Sequence, residues 1–358
     1  MKVLGLTFLR IGLLAAIGVV FIASGCNIVK TDQKTARLLK TEDASQAELM
    51  AEIGRFARVN SIYAKMRLKF EDNSFAEFGN KEVYRSADGD VVVQRPGKIF
   101  LKVQVPVLKS DVAQMTSDGT SFRVAILQDG GSGKYKKFVK GTNSTDYSKL
   151  SKRLDSTDME NGKAVKESVN AFANLRPQHF TDALLVRPIE PADVYTTSTI
   201  FQIEEDSQQP KKSPLRTVMR GYYLLDEFVK QADASLKIGR RFWFDRVGGI
   251  RLARLQIFDT AGEIESDIVY GKEGKLTATA DYTNLPLEIQ VTRPKEKYSM
   301  KLTYQTPEAV EIGEVFKDSA FVLKNSWNLE EVDLDAKLRE MSADKLNSNR
   351  NKAVTHFQ

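Results

Sequence analysis

Two residue types on which much enzyme chemistry depends are scarce in this chain of 358 residues, which has one cysteine and two histidines. A single cysteine excludes an intramolecular disulfide framework and a zinc site of the CxxC type. His179 and His356 leave little imidazole for metal binding or acid/base catalysis. A strong excess of one charge is also lacking, since 53 Lys and Arg residues stand against 47 Asp and Glu residues. The composition argues against most hydrolases, and the absence of a dense basic block interleaved with aromatics argues against a nucleic-acid partner.

Motifs for the common kinds of catalysis are missing as well. There is no G-x-G-x-x-G after a strand, no G-x-S-x-G and no H-E-x-x-H. The glycines of Gly130–Lys134 have the wrong spacing for a phosphate-binding loop, and Tyr135 stands where that loop has Ser or Thr, so a hairpin turn is predicted there. Glu204, Glu205 and Asp245 are predicted to lie at solvated edges or turns. We expect no catalytic residue, no metal site and no cofactor, and therefore a protein that is not an enzyme.

The most specific pattern that the sequence does contain lies at its start. Lys2 and Arg10 precede an uncharged apolar run, Ile11–Ala23, which is shorter than the roughly 20 residues that a spanning helix needs. Small residues then lead directly into Cys26, and this junction resembles a bacterial lipobox. The resemblance implies a lipoprotein signal peptide over residues 1–25 and acylation of the cysteine, which would anchor the chain to a membrane. The alternative for the cysteine is a buried free thiol.

The remaining chain divides into a tether, one domain and a tail. Residues 26–43 are polar without clear periodicity, which is typical of a tether. Asn27 stands where an aspartate would resemble an inner-membrane retention signal, so the outer membrane is the expected destination. One domain is predicted over residues 44–325, the range of the family resemblance described below. Residues 326–358 are predicted to be a C-terminal helix and a frayed tail.

Most of this domain alternates between apolar and polar residues with the period of a strand. Ser45 and Glu48 give the capping-box pattern that predicts a helix over residues 44–59. Further helices are predicted over residues 164–175 and 179–185 and after Trp327 to about Met341. Strands are predicted at residues 62–70, 75–85, 90–95, 98–105, 111–117, 121–128, 134–139, 195–204, 216–225, 235–245, 250–258, 263–270, 285–292 and 297–304.

Turn signals between these strands predict consecutive antiparallel hairpins. The turn pairs are Asp88-Gly89, Asp118-Gly119 and Gly248-Gly249. Apolar parity changes between Leu252 and Leu255, which predicts a β-bulge near Ala253. The fold class is therefore α+β with a mostly antiparallel sheet, and a sheet of this length has to curl or close.

Several short sequences, taken in order, are similar to the LolA/LolB-like carriers and receptors of lipoproteins. Val91–Ile99 resembles a strand, an Arg-Pro pair and a second strand of that family, and Thr116–Gly119 resembles its Asp-Gly hairpin. Phe242–Asp245, followed by Gly248-Gly249, resembles its late hairpins. The resemblance covers roughly residues 44–325. It implies an unclosed half-barrel of about eleven antiparallel strands with helices as a lid.

The same resemblance implies a lipid-anchored protein of the outer membrane that faces the periplasm. It would bind acyl chains of lipoproteins or lipids in an apolar cavity as a non-covalent carrier or receptor. Its implied partners are those acyl chains, the membrane through Cys26, and other envelope proteins. The alternative is an envelope scaffold or assembly partner that has the same fold with a filled core.

The predicted site consists of dry-face residues and one exposed loop. In the receptor an apolar residue is exposed after a proline, so Val107 and Leu108 would take that role here, although Lys109 replaces the family's glycine. Phe242 and Phe244 belong to a strand that is aromatic on both faces, which suits either a doubly covered strand or one lining a cavity. The predicted cavity-lining residues are Ile62, Met66, Leu68, Phe70, Ile99, Leu101, Val103, Phe122, Val124, Phe242 and Phe244.

Overall fold

The computed structural model describes residues 35–72, 82–83, 86–106, 108–128, 136–145, 147, 176–274, 276 and 285–343. Residues 35–38 and 203–219 form one compact unit, here called the small unit, and the other described residues form the large unit. The predicted signal peptide, Cys26, the helix at 164–175, the turn at Gly130–Lys134 and most of the strand at 75–85 lie outside the described residues.

The described chain is mostly strand. The helices are α1 (Gln46–Ala57), α2 (Pro177–Leu184) and α3 (residues 334–343), with short 3-10 turns at Pro214–Arg216 and Asp318–Phe321. The strands are β1 (Arg37–Leu38), β2 (Ser61–Asp72), β3 (Glu82–Val83), β4 (Ala87–Gln94), β5 (Lys98–Gln104), β6 (Asp111–Asp118), β7 (Ser121–Ile126), β8 (Lys137–Thr142), β9 (Val194–Glu205), β10 (Thr217–Lys230), β11 (Leu236–Asp245), β12 (Arg251–Phe258), β13 (Ile264–Gly274), β14 (Leu285–Arg293), β15 (Tyr298–Tyr304), β16 (Glu311–Ile312) and β17 (Glu330–Asp333).

Two antiparallel meanders make up the sheet of the large unit. β4 to β8 pair in chain order, and so do β10 to β15. β2 joins the two meanders because it pairs with β4 on one side and with β15 on the other. The sheet is unclosed and mostly antiparallel, which confirms the predicted fold class. Thirteen of the described strands have six residues or more. The resemblance to the LolA/LolB-like proteins implied about eleven strands.

Two of the three predicted hairpin turns and the predicted β-bulge are confirmed, and one predicted turn is wrong. Gly119 (φ 98°) and Gly248 (φ 73°) adopt left-handed backbone between paired strands, and the register of β11 on β12 skips Ala253 as the predicted bulge requires. Asp88 and Gly89 form no turn, because both lie inside β4. A Cβ at Gly89 would be 2.8 Å from Leu68 Cδ1, so close packing between strands explains this glycine.

The helices differ from prediction mainly at their ends. The capping box of α1 is present, with the Glu48 carboxylate accepting from the Ser45 amide at 2.7 Å. α2 begins at Pro177, two residues before the predicted start, because proline fits the first turn of a helix. The C-terminal helix begins only at residue 334, since Glu330–Asp333 forms β17, which pairs in parallel with β8. Lysine side chains of β8 form ion pairs with Glu330 and Glu331, which favours the strand there.

Candidate functional site: the inner face of the sheet and its two helices

The inner face is defined here as the face of the large unit's sheet on which α1 and α2 pack. α1 contacts β12 and buries Leu49, Ile53 and Phe56. α2 contacts β4, β5, β6 and β14, and so it lies between both meanders. It buries Phe180, Ala183 and Leu184. A short helix therefore occupies the position where an apolar ligand was expected.

The structure brings most of the predicted lining residues together. Phe70 is partly buried and packs against a single hydrophobic cluster on the inner face. The other members of the predicted set are buried inside this cluster, namely Ile62, Met66, Leu68, Ile99, Leu101, Val103, Phe122, Val124, Phe242 and Phe244. Contact with a ligand stays a prediction for all of them.

A small cavity remains where α1 and α2 meet β13, β14 and β15. Its volume is about 20 Å³. A space of this size holds about one water molecule. Of the predicted lining residues, Ile62 borders it. The wall consists of Phe56, Val59, Ile62, Ala183, Leu184, Tyr270, Leu276, Leu285, Pro286, Ile289 and Tyr304.

The tyrosines of this wall are neutral. Burial raises the pKa of both the Tyr270 and the Tyr304 hydroxyl, and for Tyr270 the charge of Asp182 adds to the effect. The Tyr270 hydroxyl donates to the Ala183 carbonyl at 3.3 Å, and its ring lies 5.6 Å from that of Phe56. The cavity wall is thus mostly apolar and uncharged, and it suits hydrocarbon better than a polar group.

Arg95 ties both helices to the sheet. Its guanidinium donates to the carbonyl oxygens of Val59 at 3.1 Å and Ala57 at 3.3 Å, just at the end of α1. It also donates to Leu185 at 3.4 Å and Val186 at 2.7 Å, just after α2. Burial lowers the pKa of this guanidinium. Because Arg95 directly follows β4 and binds carbonyl oxygens at the ends of both helices, it fixes both helix ends to the end of this strand.

A second arginine holds the segment that follows α2. Arg240 donates to the carbonyl oxygens of Arg187 and Pro188, each at 2.8 Å. It also forms a buried ion pair with Glu227, whose carboxylate accepts from the Tyr195 hydroxyl at 2.8 Å. Burial, together with the hydrogen bond to Glu227, raises the pKa of Tyr195 to about 12. The buried charges are therefore paired, as burial requires.

The start of α2 is held by a neutral histidine. His179 is buried, and its Nδ1 shares a hydrogen bond with the Tyr298 hydroxyl. Burial, with added repulsion from Arg293 and Arg176, holds the pKa of His179 well below its ordinary value. Among the described residues, no group of three or more His, Cys, Asp and Glu side chains could hold a metal ion.

The aromatic strand β11 is covered on both faces. Phe242 and Phe244 are buried in the inner cluster. Trp243 points the other way and packs in a second cluster against Tyr222, with ring centroids 5.8 Å apart. Its indole N–H donates to Gln256 Oε1 at 3.0 Å. Both faces of the strand are thus covered in the described conformation, and contact of Phe242 and Phe244 with a ligand stays a prediction.

The predicted exposed loop is described only in part. Leu108 is 77% exposed, and Val107 lies outside the described residues. Lys109 adopts φ 52° in the left-handed region that favours glycine. Its Nζ lies 2.5 Å from Asp88, and this contact lowers the pKa of the Asp88 carboxyl. Among the described helices, none is long and apolar enough to cross a membrane.

Sequence reasoning missed the two arginines that hold α2 and the cavity wall from β13 to β15. The pair Arg95-Pro96 after a strand was the available signal for the first arginine. For the wall, the apolar parity of Ile289 and Val291 marks the inner face of β14. The contacts of Arg240 with the carbonyl oxygens of Arg187 and Pro188 had no local signal, since these residues lie more than 50 positions away.

Comparison with known proteins gives remote structural neighbours. No family model and no curated protein matches the sequence. An outer membrane lipoprotein-sorting protein domain from Vibrio parahaemolyticus has a TM-score of 0.37 at 10% identity, covering 77% of this chain and 97% of its own. A LolA superfamily protein from Nitrosomonas europaea gives 0.37 at 11%, with coverage of 78% and 99%. A DUF1329 family protein from Desulfovibrio piger gives 0.32 at 13%, with coverage of 77% and 95%.

Proposed function

We propose that this chain is a lipid-anchored protein of the cell envelope, held at the outer membrane through acylated Cys26 with its domain in the periplasm. In this proposal the large unit binds acyl chains of lipoproteins or lipids without covalent chemistry, as a carrier or receptor. The supporting observation is that a continuous apolar inner face is covered between its two meanders by α2, a helix of eight residues.

An acyl chain needs only dry surface, and the inner face offers it. Phe180 and Leu184 cover that surface in the described conformation. If a hydrocarbon tail replaced these two side chains, the inner face would still be covered by apolar groups. The neutral tyrosines Tyr270 and Tyr304 at the cavity leave no charge that would oppose a tail.

Binding then requires that α2 move, because a cavity of about 20 Å³ holds one water molecule and not a tail. A helix of eight residues is marginal by itself, so its position depends on the contacts around it. We call the form in which α2 has left the inner face the open form. If this form is a minor state, the apparent affinity for a tail is the affinity of the open form multiplied by the fraction of molecules that are open. A modest affinity suits a protein that must release what it carries.

A second candidate is an envelope scaffold or assembly partner with a filled core. The same small cavity favours it, and so do the carbonyl contacts of Arg95 and Arg240 that hold α2 in place. In that case the residues of the inner face serve stability alone, and α2 is a permanent part of the core.

Displacement of a fluorescent fatty acid distinguishes the two candidates. We expect the purified protein to bind the probe saturably and to release it when lipid is added. Ala113→Phe places a ring on the inner face of β6, which α2 contacts, and should weaken probe binding at least ten-fold. Ala253→Phe is the matched control, because Ala253 packs against the second cluster around Trp243.

Leu101→Trp on the inner face gives an independent variant and should also weaken the probe. The circular dichroism of each variant shows whether it has folded. Saturable binding that Ala113→Phe and Leu101→Trp leave unchanged would place the probe elsewhere and contradict the proposed site. No saturable binding to the folded parent protein favours the scaffold.

A further inference from the structure

The small unit has exposed aliphatic side chains close to the first described residues. Leu38 is 62% exposed, Ile203 67% and Leu215 50%. β1 pairs in parallel with β10, so that Leu38 lies opposite Met219. Aliphatic residues this exposed, grouped in a unit of about twenty described residues, call for a partner surface.

Strand register places these side chains in a row. The Asp206 amide donates to the Arg216 carbonyl at 2.7 Å, and counting back along β9 and β10 from this pair puts Ile203 opposite Met219. Residues directly opposite one another in a sheet lie on the same face. Leu38, Met219 and Ile203 therefore form one apolar row across three strands.

The loop beside this row has a positive tip. Lys211 and Lys212 are the only charged residues between Ser207 and Leu215, and both are exposed. The nearby carboxylate of Glu205 accepts from Arg216 at 2.8 and 3.0 Å, so its charge is compensated. Exposed aliphatic and lysine side chains side by side suit an anionic lipid interface, where the tails meet the headgroups.

The chain itself would hold this row near a membrane. Arg37 follows Cys26 by eleven positions. Fully extended, that length spans at most about 40 Å, and a relaxed flexible segment spans about 20 Å. This step rests on the acylation of Cys26 in the proposed function.

We propose that the apolar row and the lysines of the neighbouring loop lie on the bilayer surface, with Ile203 inserted at the boundary between headgroups and tails. The small unit then has a function separate from the acyl-chain site of the large unit. It fixes the protein against the membrane instead of leaving it free on its tether.

An environment-sensitive label tests the depth of the row. Acylated full-length protein carrying Ile203→Cys is labelled with a nitrobenzoxadiazole (NBD) fluorophore, since acylation blocks Cys26. On vesicles of phosphatidylethanolamine and phosphatidylglycerol we expect about a three-fold gain in emission, quenched by lipids with a spin label in the tail. Val315→Cys is the control, because Val315 is 88% exposed and lies outside the small unit. Lys211→Gln with Lys212→Gln should roughly halve the gain.

Each other outcome overturns the inference in a recognisable way. Acylated protein whose label at position 203 behaves like that at position 315 shows that the row stays in water. A gain without vesicles that grows with protein concentration assigns the row to a second copy of the chain. If mass spectrometry shows that Cys26 is not acylated, both the tether argument and the proposed membrane anchor are wrong. Fatty acid displacement is independent of these readouts, so a failure of the acyl-chain site is recognised separately.

Discussion

Removal of the Arg95 guanidinium should loosen both helices from the sheet. The two shorter hydrogen bonds, 2.7 Å to Val186 and 3.1 Å to Val59, are charge-assisted. At about 1.5 kcal/mol each they give about 3 kcal/mol, and the two longer bonds add little. Arg95→Met keeps most of the aliphatic stem and loses the charge. The free energy of unfolding should therefore fall by about 3 kcal/mol, which for a chain of this length lowers the Tm by about 4 °C.

The same variant should take up a fatty acid probe faster. Arg95 binds the chain directly after α2, so its loss favours any form in which α2 has left the inner face. We expect stopped-flow fluorescence to show association several-fold faster than in the parent protein. Urea unfolding followed by circular dichroism measures the stability change on the same samples.

Arg241→Met is the matched control. Arg241 donates to Asp226 at 2.6 and 2.8 Å across β10 and β11, and this partly buried bidentate pair contributes on the order of 1 kcal/mol. It should leave probe uptake unchanged. Equal stability and equal uptake rates in Arg95→Met and Arg241→Met would refute the idea that Arg95 holds the helices closed.

Two further predictions concern packing and pH. Gly89→Ala puts a methyl group 2.8 Å from Leu68 Cδ1 and should destabilise by about 1–3 kcal/mol, whereas Gly54→Ala, with nothing within 4 Å in α1, should stabilise by up to about 1 kcal/mol. Urea midpoints that shift in the same direction for both would contradict this. Because burial holds the folded pKa of His179 well below its ordinary value, the unfolded chain binds a proton below about pH 6.5 that the folded chain does not, so stability should fall by roughly 1 kcal/mol as the pH is lowered from 7 to 5.5. His179→Gln should abolish most of that slope, and an unchanged slope in its urea titrations would show that another group titrates.

Local patterns were sufficient for most elements. The capping box at Ser45, the alternation of β2 and the parity change at Ala253 each depend on neighbouring residues, and each was confirmed. Asp88-Gly89 failed because a glycine also serves where two strands approach closely, and sequence cannot distinguish that use from a turn.

Long-range contacts set the limit of such reasoning. Asp245 was expected at a solvated edge or turn, yet it is buried between the guanidinium groups of Arg220 and Arg251. The position of α2 between β5 and β14 likewise results from tertiary packing, since its own eight residues show only that one face is apolar. How far the inner face is filled depends on that packing.

Mass spectrometry of lipids that stay bound during purification tests the central claim most directly. Parent protein and Ala113→Phe are incubated with an excess of lipid and purified in parallel, and lipid is extracted from equal amounts of folded protein. The account predicts acyl-bearing lipid with the parent and at least ten-fold less with Ala113→Phe, whose new ring lies on the inner face of β6. Equal amounts of lipid from both, or none from the parent even after incubation with an excess of lipid, would contradict it.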